Sequence, residues 1–120
     1  MRFPISFGQW RPVLYATGML PRWCWVDVTD DAVTARMSWA FRATVPRTAV
    51  RSARRREGWR PLGFGVHGWR GQWLVNGSWR GLVSIEIDPP APARVLGVPI
   101  RLRGLHVSVD EPEGLVDALS

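Results

Sequence analysis

The chain has 120 residues, of which 46% are apolar and 22% are charged, proportions that exclude a disordered segment and suit a single folded domain, residues 1–120. Its one cysteine, Cys24, excludes an internal disulfide, and no apolar run approaches the ~20 residues of a membrane helix. The net charge is +6, and its excess lies in the middle third of the chain, which is therefore the candidate contact surface for an anionic partner. All sixteen basic residues are arginine, a bias that GC-rich codons explain without a functional cause. Pro4, Gly8 and Arg11 interrupt the N-terminal segment too early for a secretory signal, which predicts a cytoplasmic protein.

The first half of the chain predicts three strands. Residues 23–29 and 33–45 alternate apolar with polar residues, the period of a strand that is buried on one face, and Asp30-Asp31 forms a tight turn between them. Because residues 33–45 exceed the usual strand length, we expect a bend near Ser38. Pro46 ends this strand, and another follows it. The apolar face of the long strand consists of Val33, Ala35, Met37, Trp39, Phe41, Ala43 and Val45.

The second half predicts four more strands, near residues 64–69, 72–75, 79–88 and 100–109. Asn76-Gly77 is a strong signal for a type I′ hairpin turn. In that register Trp73 lies opposite Arg80, and Leu74 lies opposite Trp79 on the core face, which continues with Val83, Ile85 and Ile87. The tripeptide Trp-Arg-Gly, which occurs twice, is then part of a hairpin rather than a binding motif. The prolines of residues 88–92 predict an exposed connection, since proline donates no hydrogen bond to a sheet.

The end of the chain predicts one short helix. Asp110 is placed to cap it, and Glu113 stands three residues further on, as in a capping box. Leu115, Val116 and Leu119 form an apolar face at helical spacing. A helix this short is not stable alone, so we expect it to pack on the sheet.

Few residues indicate catalysis or metal binding. Cys24, His106 and Asp27 could in principle form a nucleophilic set, but their spacing does not require it. Glu86 and Asp88 alternate with apolar residues, which the solvent face of a strand explains. The two histidines and one cysteine lack metal-site spacing. We therefore expect a non-catalytic protein with no metal and no cofactor.

Arginine is concentrated in the middle of the chain. Residues 42–80 contain nine arginines and one glutamate, and the densest stretch is residues 51–60. Guanidinium forks match phosphate and carboxylate groups, and a tryptophan beside them can stack on bases. The alternative is a solvated loop that aids solubility. The candidate site residues are Arg51, Arg54, Arg55, Arg56, Trp59 and Arg60.

Tryptophan is also abundant, with eight residues. Trp23 and Trp25 lie on the strand face opposite Cys24, where the N-terminal segment, a ligand or a partner could cover them.

Residues 25–55 and 105–119 resemble a bacterial pleckstrin-homology-like domain. The first range resembles the strand meander of such domains, and the second resembles their last strand and terminal helix. The resemblance implies a mostly β fold: an antiparallel bent sandwich or partly open barrel of about seven strands, capped by one C-terminal α-helix. It implies no catalysis, and members of this superfold bind lipid headgroups, peptides or other proteins.

Three functions stay open from the sequence. The first is protein–protein contact, in which the arginine-rich surface meets an acidic partner. The second is nucleic-acid binding by a small β-barrel through Arg54, Arg55, Arg56 and Trp59. The third is a lipid or small molecule bound inside an aromatic barrel.

Overall fold

The computed structural model describes residues 1–5, 11–16, 18, 23–55, 65–69, 72–76 and 81–119. Within this part of the chain nine strands form one sheet that is not closed. The strands are β1 (Arg2–Pro4), β2 (Cys24–Val28), β3 (Ala32–Met37), β4 (Phe41–Pro46), β5 (Val50–Arg55), β6 (Gly65–Trp69), β7 (Gln72–Asn76), β8 (Leu82–Val95) and β9 (Val98–Ser108). The helices are α1 (Arg11–Ala16), a 3₁₀ turn (Arg47–Ala49) and α2 (Pro112–Ala118). The predicted mostly β fold with one C-terminal helix is confirmed, with more strands than the seven expected.

Residues 33–45 form a hairpin rather than one long strand. The bend expected at Ser38 is a full reversal, in which Ser38 has a φ of 46° and Met37 pairs with Phe41. In this register odd-numbered residues pair with odd-numbered ones, as Val33 does with Val45. The buried positions of both strands therefore keep the same parity, and the strand pattern cannot distinguish a hairpin from a straight strand. Within the turn the alternation is reversed: Trp39, predicted on the buried face, is 59% exposed, whereas Ser38 and Ala40 are buried.

The hairpin predicted at Asn76-Gly77 is wrong. β7 pairs antiparallel with β6 and parallel with β9, so Trp73 lies opposite Gly68 and Leu105. Both edges of β7 are occupied, which excludes the pairing of Trp73 with Arg80. The two-residue connection lies earlier, between the paired Trp69 and Gln72. Trp79 and Arg80 are outside the described residues, whereas the expected burial of Val83, Ile85 and Ile87 is confirmed.

The long strand β8 pairs with three other strands of the sheet. One of its edges pairs with β9, and the other pairs with β5 near its start and with β4 near its end. The proline segment expected as a connection lies inside β8. It is tolerated there because the register with β9 shifts between Glu86 and Ala91, so Pro89 and Pro90 have no partner on β9.

The C-terminal helix packs on the sheet as expected. Leu115 and Leu119 are buried, and α2 lies against β5 and β8. The predicted capping box is wrong: the residue before the helix is Glu111, and no side chain caps the first turn. The Asp110 backbone N–H instead donates to the Pro4 carbonyl at 3.1 Å, which ties the start of the helix to β1. No helix in the described ranges is long and apolar enough to cross a membrane.

Candidate binding surfaces

The predicted arginine cluster is divided by the fold. Of its described members, Arg51 lies 3.9 Å from Asp88, and Arg55 forms an ion pair with Glu113 on α2. These two guanidinium groups therefore form ion pairs with carboxylates of the same chain. Arg54 points instead into a pocket on the outer face of the sheet. The other predicted members, Arg56, Trp59 and Arg60, lie outside the described residues.

A different group of arginines is assembled by strand pairing. Arg36 on β3 lies opposite Arg42 on β4, and Arg42 lies opposite Arg94 on β8. We call these three residues the arginine ladder. None of them forms an ion pair with a described residue. Neighbouring strands are about 4.8 Å apart, so three positive charges stand in a row across the sheet.

The ladder was missed because its members are distant in sequence. Arg36 and Arg94 lie outside the arginine-rich middle of the chain. Only the register of three strands brings them together. The one sequence signal was the shared parity of Arg36 and Arg42 on the polar face of the segment 33–45.

An exposed apolar group lies at the same end of the sheet as the ladder. Trp39 in the β3–β4 turn is 59% exposed, and Leu96 and Val98 at the β8–β9 turn are 61% and 60% exposed. The Leu96 backbone N–H donates to the Ala40 carbonyl at 2.9 Å, which joins the two turns. We call Trp39, Leu96 and Val98 the apolar tip. Large apolar side chains gathered at one place on a surface mark contact sites.

The backbone at the tip departs from the usual turn chemistry. Leu96 and Gly97 have φ angles of 51° and 81°. Asparagine or glycine normally occupies the first of these positions, because a side chain with a bulky Cβ is strained at positive φ. The chain keeps an exposed leucine there, so folding alone does not explain this residue.

The ladder and one residue of the tip, Trp39, meet at one depression of about 350 Å³. Trp39 lines it together with all three ladder arginines. Arg36 Nε donates to the Ser38 carbonyl at 3.4 Å, and Arg94 Nη1 donates to the Gly97 carbonyl at 3.2 Å. These bonds hold two of the three guanidinium groups beside the turns.

A second pocket, of about 240 Å³, lies where β5, β7, β8 and β9 run side by side. We call it the polar pocket. Hydrogen bonds connect three of its lining side chains. The Ser84 hydroxyl and His106 Nδ1 are 2.7 Å apart, and His106 Nε2 lies 3.2 Å from Gln72 Oε1. An amide oxygen only accepts, so Nε2 carries the proton and Nδ1 accepts from Ser84. The polar lining residues are Ser52, Arg54, Gln72, Ser84, Glu86, Arg103 and His106.

Gly104 makes this arrangement possible. A Cβ at this position would collide with the side chain of Gln72. Only glycine therefore lets Gln72 lie across β9 and reach His106.

The nucleophilic set considered from the sequence is not assembled. Cys24 is buried on the core face, and His106 lines the polar pocket. Burial raises the pKa of the Cys24 thiol to about 11, although a backbone hydrogen bond at Ser38 and the charge of Arg36 oppose this. A thiol in this state is a poor nucleophile. The described ranges contain no group of three potential metal ligands.

The N-terminal strand β1 covers part of the Trp25 side chain. The Arg2 guanidinium carbon lies 4.2 Å from the centre of the Trp25 ring, a cation–π contact. Of the open alternatives for Trp25, its cover is therefore the chain itself. Trp23 is 43% exposed.

A scan against protein-family models and searches of curated proteins and of solved structures found no match.

Proposed function

We propose that the chain is a non-catalytic binding module that docks an acidic partner protein through the arginine ladder and the apolar tip. The observation that carries this proposal is the ladder itself. Like charges directly opposite each other destabilise a sheet, and no described carboxylate neutralises these three. An anionic partner would relieve the repulsion.

The chemistry around the ladder favours a protein partner. Arginine and tryptophan are enriched at the centres of protein interfaces. Arginine forks bind carboxylates with two parallel hydrogen bonds. Trp39 provides apolar area in the same depression as the charged groups, and Leu96 and Val98 are exposed at the same end of the sheet. The partner surface that fits both features is a segment rich in aspartate, glutamate and large apolar residues.

A nucleic acid is the second candidate, and one observation favours it. Trp39 lines the same depression as the three ladder arginines. A base could stack on an indole there while the guanidinium groups hold phosphates. The tryptophans whose side-chain burial is described, Trp23, Trp25, Trp39 and Trp73, are all at least partly exposed, so these four give no support to a ligand inside an aromatic barrel.

We also propose a cytoplasmic location for the module. The support is its free thiol, since Cys24 is unpaired as well as buried, and free thiols persist in reducing compartments.

Titration with three kinds of probe tests the partner class. The purified chain is mixed with a labelled peptide of glutamate, aspartate and leucine, with a labelled single-stranded oligonucleotide, or with vesicles that contain anionic lipid. Binding is followed at low and near-physiological salt, because phosphate-driven binding falls steeply with salt. The variant R42E/R94E reverses two ladder charges, and R101E is the control at an exposed arginine of β9.

The proposal expects the peptide to bind at near-physiological salt, R42E/R94E to lose binding, and R101E to retain it. Oligonucleotide binding that survives this salt and disappears in R42E/R94E would establish the second candidate instead. Vesicle binding with the same pattern would make the partner a membrane surface. Equal binding of all probes by R42E/R94E and the unmodified chain would remove the ladder from the function.

A further inference from the structure

We propose that the polar pocket is a second binding site, for a small molecule that carries a carboxylate or phosphate group, and that protonation of His106 strengthens this binding. The pocket shares no lining residue with the arginine ladder. The inference therefore goes beyond the docking function and stands independently of it.

Two positive charges face this pocket. Arg54 on β5 and Arg103 on β9 both line it, and neither forms an ion pair with a described residue. Two guanidinium groups that converge on one concave site suit a single oxyanion, because each can donate charge-assisted hydrogen bonds to it.

The pocket also carries one acidic group. Glu86 lies in the same strand row as Ser52, whose hydroxyl donates to Glu86 Oε2 at 3.3 Å. Its remaining lone pairs can accept a hydrogen bond from a ligand. The ligand therefore carries an oxyanion and also a hydroxyl or amino group, a combination that simple inorganic anions lack.

The Ser84–His106–Gln72 chain connects anion binding to protonation. With neutral His106, Nδ1 accepts the Ser84 hydroxyl proton, so that proton is not available to a ligand. When Nδ1 is protonated, it donates to the Ser84 oxygen, and the hydroxyl proton can turn towards the pocket. The pocket then gains one positive charge and one donor.

The surroundings of His106 decide the sign of this coupling. The charged residues that line the pocket with it are Arg54 on β5, Glu86 on β8 and Arg103 on β9. A bound oxyanion adds negative charge next to the imidazole and favours its protonated form. By reciprocity, protonation favours the bound anion.

Nuclear magnetic resonance of the full ¹⁵N-labelled chain tests the site. Sulfate and acetate serve as probes for the tetrahedral and the planar oxyanion, in a buffer without competing anions. Sulfate keeps its charge over the range of about pH 5 to 8 in which histidine titrates, so a change in its affinity reports on the protein. The variants are R54Q/R103Q, R101Q as a control at an arginine that does not line the pocket, H106Q and R42E/R94E.

We expect saturable shifts at the backbone amides of Arg54, Ser84, Arg103 and His106. R54Q/R103Q weakens binding by about tenfold or more, as expected for the loss of charge-assisted hydrogen bonds, while R101Q and R42E/R94E leave it unchanged. Sulfate affinity rises several-fold from the high to the low end of the pH range, and H106Q removes this rise. The stronger of the two probes identifies the oxyanion as phosphate-like or carboxylate.

Three outcomes would overturn the proposal. The first is the absence of a saturable shift with either probe. The second is binding that R54Q/R103Q leaves intact although its spectrum shows a folded chain. The third is a set of shifts confined to the ladder residues. A pH response that persists in H106Q would contradict the role of His106.

Discussion

Cys24 shows how one buried side chain makes stability depend on pH. Its thiol is fully buried, and burial raises its pKa from 9.0 to about 11. Above pH 9 the unfolded chain loses this proton while the folded chain keeps it. The folded state then holds more protons, so its stability falls as the pH rises from 9 to about 11.

Cys24→Ala should remove this dependence. The raised pKa corresponds to about 3 kcal/mol of unfolding free energy, at about 1.4 kcal/mol for each pKa unit, and about 2 kcal/mol of this falls between pH 9 and about pH 11. We expect the unmodified chain to lose the latter amount between the two pH values, and the variant to lose much less. Denaturant titrations of both chains at several alkaline pH values measure the difference. The cavity left by the smaller side chain lowers stability equally at every pH, so parallel curves for the two chains would contradict the prediction.

The β8–β9 turn is the element in which stability and binding are opposed. Leu96 has positive φ and is exposed, so its side chain strains the turn and contributes no burial to the core. We expect Leu96→Asn to stabilise the fold by about 0.5–1 kcal/mol. The same change removes one third of the apolar tip and should weaken partner binding.

Thermal unfolding measures the first effect, and a titration with the acidic peptide measures the second. Val98→Asn is the matched control, because Val98 has ordinary strand geometry and the change removes apolar area without relieving backbone strain. A less stable Leu96→Asn chain would show that the strain is absent.

The start of α2 provides a second prediction at this scale. The sequence pattern assigned the cap to Asp110, but the helix begins at Pro112 after Glu111, and no side chain caps it. Asp110→Ala should therefore change the unfolding free energy by less than about 0.5 kcal/mol, as for an ordinary surface residue. A working cap would cost about 1 kcal/mol. Denaturant unfolding distinguishes the two values.

Over the whole molecule, local sequence patterns predicted where strands and helices form better than they predicted which strands pair with each other. The alternation in residues 23–45 identified the buried face correctly except in the turn, where Trp39 is exposed, and the helical spacing of Leu115 and Leu119 identified the C-terminal helix. The hairpin at Asn76-Gly77 was wrong because its turn signal says nothing about β9, which lies between β7 and β8. Long-range pairing has no local signature.

The arginine ladder and the polar pocket could not be predicted for the same reason, because long-range strand pairing assembles both. The arginine cluster predicted from sequence density includes two residues that pair with Asp88 and Glu113, acids that are distant in sequence. The ladder arises from three strands and the polar pocket from four. From the sequence, His106 was considered as a member of a nucleophilic set, and only the fold places it between Ser84 and Gln72.

The arginine ladder should lower the stability of the free protein by a measurable amount. Arg42 lies between Arg36 and Arg94, so Arg42→Gln removes both like-charge contacts at once. We expect the variant to be more stable than the unmodified chain at low salt, by about 0.5 kcal/mol. The gain should shrink as salt screens the charges. Arg101→Gln is the control, and an equal gain there would assign the effect to net charge alone.

The most direct test of the docking function is photo-cross-linking from the apolar tip in the native host. Val98 is replaced by photoreactive benzoylphenylalanine, with Glu113 on α2 as the control position, and each is examined with and without R42E/R94E. We predict an adduct from position 98 with a protein that has an acidic segment, no such adduct from position 113, and its loss in R42E/R94E. The absence of an adduct from position 98, or an adduct that R42E/R94E leaves unchanged, would contradict the proposed docking surface.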